Sequence, residues 1–372
     1  MKKALITGIT WQDGAYLAEL LLSKWYEVHW IKRRSSTINT ERIDHIYHDI
    51  KLDSNKLFLH HWDMTDSTSL IKIISKIQES RWKKLSWPAQ SHVKVSFEVP
   101  EYTANSDGIW VLRILEAIKI CGLEKKTKFY QASTSELYGW VGFNMPQNGY
   151  NETSYFYPRS PYWVAKMYGY RITINYREAY WIFACNGILF NHESPKRWET
   201  FVTRKITRAA AQYKLWIKDN IYDKLYLGNL DSKRDWWHAK DFVRGMWLIL
   251  QQEKPDDFVL ATWKTTTVRE FVNLAFEEIW VKIEWKWEWI NEKWYDIATW
   301  KSIIEIDPKY FRPSEVDVLL WDATKAQKTL WRSAEIPLKE MISEMVKWDI
   351  EHFKKENFLK EKGYEVFNQQ HN

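Results

Sequence analysis

The sequence predicts an α/β fold, a Rossmann-type doubly wound parallel sheet with a smaller, interleaved C-terminal substrate-binding lobe. Through residue 133, short apolar runs alternate with amphipathic helical patterns, and the links between them are short. In addition, the first apolar run leads into a turn that starts at Gly8 and reaches a second glycine at Gly14. Such a turn is typical of nucleotide binding, and ligands of these sheets lie at the carboxyl ends of the strands.

The elements follow one another in regular order. We expect strands at 3–7, 26–31, 56–62 and 128–133, and helices at 13–25, from about 66 and at 105–122. Another strand is expected within 81–93, although its lysines and Pro88 are unusual for a central strand. Residues 141–161 have a loop composition, 281–290 alternate like a strand with three tryptophans on one face, and 338–360 are predicted to form a charged amphipathic helix.

Composition limits the function classes. The chain has 372 residues, a net charge of +6 and no apolar run near the roughly 18 residues of a membrane span. Its only cysteines, Cys121 and Cys185, are typical of a reducing cytoplasm and argue against a disulfide scaffold. We therefore expect a cytoplasmic protein with an anionic ligand, without membrane or nucleic-acid partners and without a metal site.

Glycine and tryptophan usage is abnormal. Ordinary glycine usage of about 7% would give roughly 26 glycines, whereas the chain has 12, together with 25 tryptophans. Many of these tryptophans lie where a turn favours glycine, among them Trp11 between Gly8 and Gly14. We hypothesise that tryptophan occupies positions whose architecture was set by glycine.

Basic residues follow the second predicted strand. NAD-binding folds usually place an acidic residue there for a ribose hydroxyl, whereas arginine accommodates the 2′-phosphate of NADP. Arg33 and Arg34 therefore favour NADP. The alternative is a solvated basic turn.

The segment "SPYWVAK" predicts a catalytic helix. Ser160 can cap the helix and Pro161 can occupy its first position. Tyr162 and Lys166 then lie four residues apart on one face. A tyrosine that acts as a base must ionise below its reference pKa of about 10, which a neighbouring ammonium favours.

Three polar residues follow the apolar "KFYQ". Thr134, Ser135 and Glu136 are expected at the carboxyl end of a central strand. The hydroxyls can bind a substrate oxygen, and the carboxylate supplies a second acid–base group beside the tyrosine. The alternative is a Ser/Glu pair that only starts a helix.

These motifs resemble a known family. "TGxTxQDGxYLAELL", "KRRSSTINTERIDHIY", "FYQASTSELYG", "FYPRSPYxVAK", "NGILFNHESP", "FVTRKITRA", "GNLDSKRDW", "DFVLAT", "YFRPSEVD" and "KEMISEMV" are similar to those of the GDP-mannose 4,6-dehydratases, which belong to the extended short-chain dehydrogenase/reductase group. The resemblance runs from about residue 3 to 366.

The resemblance implies an internal redox dehydration with GDP-mannose as substrate. Tyr162 would take the proton of the mannose 4-hydroxyl while NADP accepts hydride from C4. Glu136 would remove the C5 proton and protonate the departing 6-hydroxyl, and return of hydride to C6 would give GDP-4-keto-6-deoxymannose. Thr134 would bind the 4-oxygen, and Lys166 would tune Tyr162 and hold the cofactor ribose.

The resemblance also implies the binding residues. The cofactor set comprises Gly8, Ile9, Thr10, Gln12, Asp13, Gly14, Arg33, Arg34, Ser35, Ser36, Asp63, Met64, Ala89, Gln90, Ser91, Tyr102, Tyr162, Lys166, His192 and Arg197. The GDP set comprises Asn191, Lys205, Arg234, Arg312 and Glu315. The implied organisation is an NADP-binding domain with the catalytic residues at 1–190, a sugar-nucleotide lobe at 191–345, and a charged helix and tail at 346–372. A homodimer or homotetramer is expected.

The chain departs from the family at the tryptophans. The family has glycine at Trp11, Trp25, Trp30, Trp62, Trp181, Trp198, Trp237, Trp263 and Trp321, among others. Trp11 matters most, because its indole would lie where the pyrophosphate should bind. Two alternatives to the dehydratase therefore stay open: an NADP-dependent sugar-nucleotide epimerase or reductase, which does not need Glu136, and a non-catalytic nucleotide-binding protein.

Overall fold

A computed structural model describes residues 2–32, 40–48, 56–61, 63, 66–78, 84–87, 93–139, 149–215, 224–286, 292–311, 321–330 and 335–364. The strands are β1 (Lys2–Thr7), β2 (Tyr26–Lys32), β3 (Leu57–His61), β4 (Lys84–Trp87), β5 (Lys128–Thr134), β6 (Phe183–Leu189), β7 (His192–Glu193), β8 (Leu225–Leu227), β9 (Lys233–Arg234), β10 (Trp237–His238), β11 (Phe258–Leu260), β12 (Thr266–Thr267), β13 (Ile283–Lys286), β14 (Lys293–Asp296) and β15 (Ser302–Ile306).

The helices are α1 (Gln12–Ser23), α2 (Asp44–His48), α3 (Ser67–Gln78), α4 (Val93–Glu98), α5 (Pro100–Thr103), α6 (Trp110–Ile120), α7 (Pro161–Tyr180), α8 (Val202–Leu215), α9 (Ala239–Ile249), α10 (Val268–Glu277), α11 (Thr324–Leu330) and α12 (Leu338–Glu361). A π-helical segment, Ala104–Ile109, joins α5 to α6. In the described part of the chain, no helix has both the length and the apolarity needed to cross a membrane.

The chain forms two compact units. The first comprises Met1–Asn191, Ala239–Trp263 and Leu320–Ala334, and the second comprises His192–His238, Lys264–Leu319 and Glu335–Asn372. The first change of unit falls next to the expected boundary at 190. The later segments differ from the expected division. α9 and β11 group with the first unit because α9 packs on α1 and β11 pairs with β6. The tail groups with the second unit because α12 runs unbroken from Leu338 and packs on α8.

The first unit contains a seven-stranded sheet in the order β11-β6-β5-β4-β1-β2-β3. Every pairing in this sheet is parallel, which confirms the predicted Rossmann-type sheet. β4 is central after all, since it pairs with both β1 and β5. Its described residues are Lys84–Trp87, and Pro88 lies outside the described residues.

Apolar side chains of α3 and α6 build one face of this unit's core. Leu70, Ile74, Trp110 and Ile114 are fully buried there against Phe129 of β5. The sheet is therefore covered by the amphipathic helices that the sequence predicts between its strands.

The second unit has a four-stranded sheet in the order β13-β14-β15-β8. β13 covers Ile283–Lys286 of the predicted strand at 281–290, and residues 287–290 lie outside the described residues. Its core packs α8, α10 and α12 together, and Arg204 of α8 forms a fully buried ion pair with Asp349 of α12, at 2.7 Å.

Candidate active site

The turn after β1 has the geometry of a phosphate-binding turn. Gly8 adopts φ 68°, a conformation that glycine reaches without strain. A Cβ on Gly14 would collide with the carbonyl oxygen of Gly8, so α1 can start directly against the strand end only because residue 14 is glycine. The backbone N–H groups and the dipole at a helix N-terminus favour an anion, here at the edge of the sheet.

Trp11 stands at the N-cap position of α1. Its backbone has an ordinary extended conformation, φ −88° and ψ 162°, and its N–H donates to the carbonyl of Gly8 at 3.0 Å. Its side chain makes no capping hydrogen bond to the helix. The glycines on either side fit a pyrophosphate, while the indole adds bulk in the same turn.

The other predicted cofactor residues of the first unit differ in the exposure of their side chains. Ile9 and Gln12 are buried, so Ile9 can contribute to a ligand site only through its backbone. Asp63 follows β3 and Tyr102 lies on α5, and both are exposed. The predicted residues that fall outside the described residues are Arg33, Arg34, Ser35, Ser36, Met64, Ala89, Gln90, Ser91, Arg312 and Glu315.

The three polar residues predicted beside the tyrosine lie at the end of β5. Thr134 is the last residue of the strand, and its hydroxyl accepts a hydrogen bond from the N–H of Glu136 at 3.3 Å. Ser135 and Glu136 open a 3-10 turn that ends at Tyr138. Gly139 follows with φ 61°, and a Cβ there would collide with the carbonyl oxygen of Tyr157, so the turn is held close to that segment.

α7 begins as the sequence predicts. The Ser160 hydroxyl accepts from the N–H of Trp163 at 3.1 Å, and Pro161 is the first helical residue. Tyr162 and Lys166 are both buried, and the Lys166 ammonium lies 5.7 Å from the centre of the Tyr162 ring. The ammonium also donates to the carbonyl of Ala132 in β5, at 3.0 Å. This bond joins the tyrosine–lysine helix to the strand that ends in Thr134.

Asp107 is a buried acid that the sequence reasoning missed. It lies in the π-helical segment, fully buried, and that segment packs on α7: a Cβ on Gly108 would come within 3.2 Å of the Ala165 carbonyl. Burial lowers the pKa of Lys166, while the charges of Asp107 and Asp13 act in the opposite direction. The available signal was an acidic residue inside the apolar helical pattern at 105–122.

The second unit holds four of the remaining predicted residues. His192 is buried in β7, which pairs with β10, and the Arg197 guanidinium lies 3.3 Å from the Glu193 carboxylate. Lys205 of α8 lies over the Tyr310 ring, and Arg234 lies in β9. Asn191, half-buried, is the last residue of that segment of the first unit. The described geometry thus gathers Thr134, Ser135, Glu136, Tyr162 and Lys166, all in the first unit.

Two solved structures have a fold similar to that of this chain. The dTDP-glucose 4,6-dehydratase of Streptomyces venezuelae, solved with NAD and TYD bound, matches with a TM-score of 0.75 at 18% identity, over 95% of this chain and 98% of that one. RMD of Pseudomonas aeruginosa, complexed with NADPH, matches with a TM-score of 0.71 at 16% identity, over 94% and 100%. This chain therefore shares the Rossmann-type fold of these two proteins.

Sequence comparison narrows the class. The family model described as GDP-mannose 4,6 dehydratase matches residues 5–345. The chain is also 54% identical over 380 residues to the GDP-mannose 4,6-dehydratase of Yersinia enterocolitica, covering 98% of both chains. The chain belongs to the GDP-mannose 4,6-dehydratase family, as the sequence motifs predict.

Proposed function

We propose that this protein converts GDP-mannose to GDP-4-keto-6-deoxymannose and water. The observation that carries the proposal is the carboxylate of Glu136 at the end of β5, joined through the Lys166–Ala132 hydrogen bond to the helix that bears Tyr162. A reductase or an epimerase needs the tyrosine and the lysine, whereas elimination of water needs a further acid–base group.

We propose NADP as the cofactor, on the basis of Arg33 and Arg34 and of the glycine turn at Gly8. When bound, it would accept hydride from the sugar and give it back. The N–H groups at the start of α1 would hold its pyrophosphate. Comparison of NADP with NAD in a binding titration, together with the Arg33→Ala/Arg34→Ala double variant, tests the preference. Equal affinity for the two cofactors would contradict it.

The chain's own residues would divide the proton transfers. The Tyr162 phenolate would take the proton of the 4-hydroxyl, with Thr134 hydrogen-bonded to that oxygen and the buried Lys166 ammonium stabilising the phenolate. Once C4 is a ketone, the C5 proton becomes acidic. Glu136 would remove it and then donate a proton to the 6-hydroxyl as that group leaves as water.

The GDP moiety would bind to cationic residues of the second unit and its neighbours. Arginine matches a pyrophosphate by paired hydrogen bonds, which suits Arg234 and Arg312. Lys205 would add charge, Asn191 would belong to the same set, and the carboxylate of Glu315 would accept the ribose hydroxyls. His192 and Arg197 would lie by the nicotinamide.

The decisive experiment separates the two chemical stages. GDP-mannose and NADP are incubated with the protein, and loss of one water is followed by mass spectrometry. For Glu136→Gln we expect no elimination, with C4 oxidation still measurable as NADPH absorbance. Glu178→Gln, at an exposed acid of α7, is the control and should stay active. Loss of both stages in Glu136→Gln would contradict the assigned role, and a product that keeps its 6-hydroxyl would favour an epimerase or reductase.

A non-catalytic nucleotide-binding protein is the second candidate, and Trp11 in the cofactor turn favours it. Purified protein that carries NADP but leaves GDP-mannose unchanged would support this alternative.

We also propose a cytoplasmic homodimer or homotetramer. The free thiols of Cys121 and Cys185 are typical of a reducing compartment. The apolar Val164 and Tyr168 are exposed on α7 and line a groove there, which suits contact with a second copy. Light scattering on a sizing column would give the mass, and a monomer at all concentrations would contradict this assembly.

A further inference from the structure

Five described residues other than glycine have a left-handed backbone conformation, and all five are tryptophan. They are Trp25, Trp181, Trp263, Trp280 and Trp300, with φ between 54° and 72°. This region is adopted routinely by glycine and sometimes by asparagine or aspartate, whose short polar side chains bond locally. Tryptophan has no such compensation. A bulky residue at five such positions indicates a backbone that was shaped for another residue.

Helix ends within the chain show which residue that is. After α6, Gly122 and Leu123 donate to carbonyls three and five residues back, at 2.9 and 3.0 Å, and Gly363 makes the corresponding bond after α12. After α10, Trp280 and Val281 make the same two bonds at the same lengths. This is the Schellman helix end, which glycine normally fills. Trp280 therefore occupies the position that Gly122 and Gly363 occupy elsewhere.

The indoles gain no burial that would offset the strain. Trp25 is 72% exposed, Trp181 is 74% exposed and Trp280 is 89% exposed. Tryptophan stabilises proteins mainly by burying its large ring. At these helix ends that contribution is small, and the exposed cation–π contact of Trp25 with Lys56 is a minor one.

Two buried tryptophans also lie in surroundings that suit glycine better than an indole. Trp294 is fully buried and lies against Trp285. The indole N–H groups of Trp294 and Trp321 are buried without a hydrogen-bond partner among the described residues. A glycine at either position would remove the buried donor.

Other tryptophans are integrated into their surroundings. Trp236 packs edge-on against Phe271 with ring centres 5.0 Å apart, and the Trp247 indole donates to the Tyr26 hydroxyl at 3.3 Å. Both have the contacts that a buried tryptophan needs. Among the described residues, some tryptophans therefore have surroundings that fit an indole, and others have surroundings that fit glycine.

We infer that the working protein has glycine at positions 25, 181, 263, 280, 294, 300 and 321, because the cell of origin translates the triplet at these positions as glycine. The triplet UGA fits, since it differs by one base from the tryptophan triplet UGG and by one base from the glycine triplet GGA. The inference does not depend on the proposed reaction.

The gene and the natural protein test this directly. We expect UGA at positions 25, 181, 263, 280, 294, 300 and 321, and UGG at 236 and 247. Tandem mass spectrometry of peptides from the protein isolated from its natural source should show glycine at the first set and tryptophan at the second. UGG at both sets, or tryptophan at 25, 181 and 280 in the natural protein, would overturn the inference.

A folding experiment tests the physical basis. In the protein that carries tryptophan at these positions, the Trp25→Gly/Trp181→Gly/Trp280→Gly triple variant should raise Tm. Each change removes the strain of a tryptophan in the left-handed backbone conformation. Trp348→Gly is the matched control: Trp348 is also exposed but lies inside α12, where glycine weakens a helix, so Tm should fall. A triple variant with unchanged or lower Tm would contradict the inference. If the chain as written does not fold, soluble yield of the triple variant against Trp348→Gly gives the same comparison.

Discussion

Two turns leave the same edge of the seven-stranded sheet, and they are supported in different ways. After β5, the Thr134 hydroxyl caps the following turn and Gly139 holds it against the Tyr157 backbone. After β1, the N-cap residue Trp11 supplies no side-chain acceptor to α1. The proposed catalytic turn therefore has a side-chain cap, whereas the proposed cofactor turn has none from its N-cap residue. Changes at the first should act on chemistry, and changes at the second on cofactor affinity.

Tyr162→Phe is expected to have the largest effect, and this effect should be on catalysis. Loss of the proton acceptor is expected to lower kcat by about 10²–10⁴-fold, with NADP affinity little changed, because the ring keeps its packing. Product formation and a cofactor titration measure the two effects. Tyr168→Phe, on the same helix but half-exposed, is the control and should keep full activity. A Tyr162→Phe enzyme with near-normal kcat would remove Tyr162 from its role.

Trp11→Gly is expected to change the affinity for the cofactor. Removal of the indole opens the space beside Gly8 and Gly14, and we expect the Kd of NADP to fall by at least about tenfold, which corresponds to about 1.4 kcal/mol. Trp348→Gly, in α12, should leave that Kd unchanged. A Trp11→Gly variant that binds NADP no better would show that the indole does not obstruct the site.

Asp107→Asn should change the pH dependence of kcat and leave the KM for GDP-mannose nearly unchanged. The Asp107 charge opposes the fall in the pKa of Lys166 that burial causes. Without it, the pKa of Lys166 falls further, so the ammonium is lost at lower pH and the basic limb of the kcat profile should move down in pH. KM for GDP-mannose should change little. A purely structural residue would alter stability without moving the pH profile, and an unmoved profile would contradict the prediction.

Ser160→Ala should have the smallest effect. It removes the hydroxyl that caps α7, at a cost of about 1 kcal/mol in the free energy of unfolding. Urea denaturation measures the loss, and Ser160→Thr should restore most of it because the cap oxygen is kept. No difference between alanine and threonine would mean that the cap does not stabilise the helix.

The sequence predicts well those features that depend on local pattern. The parallel sheet, α7 with its serine cap and proline, and the position of Thr134 at a strand end all follow from periodicity and end signals. β4 was hard to predict, because its central place depends on pairing with β1 and β5 and not on its own composition.

Long-range packing explains what was missed. The charge of Asp107 acts on Lys166 because the π-helical segment packs against α7, where Gly108 and Gly169 lack side chains. The return of α9 and β11 to the first unit depends on contacts with α1 and β6, which are far away in sequence. Such contacts leave no periodic signal in the chain.

The acceptor of the Lys166 hydrogen bond is a main-chain carbonyl. A side-chain acceptor could be lost through a single substitution, but the oxygen of Ala132 is present whatever residue occupies that position. The backbone of β5 therefore sets the position of the Lys166 ammonium. The neighbouring side chains, and with them the accepted sugar, can change during evolution without displacing it.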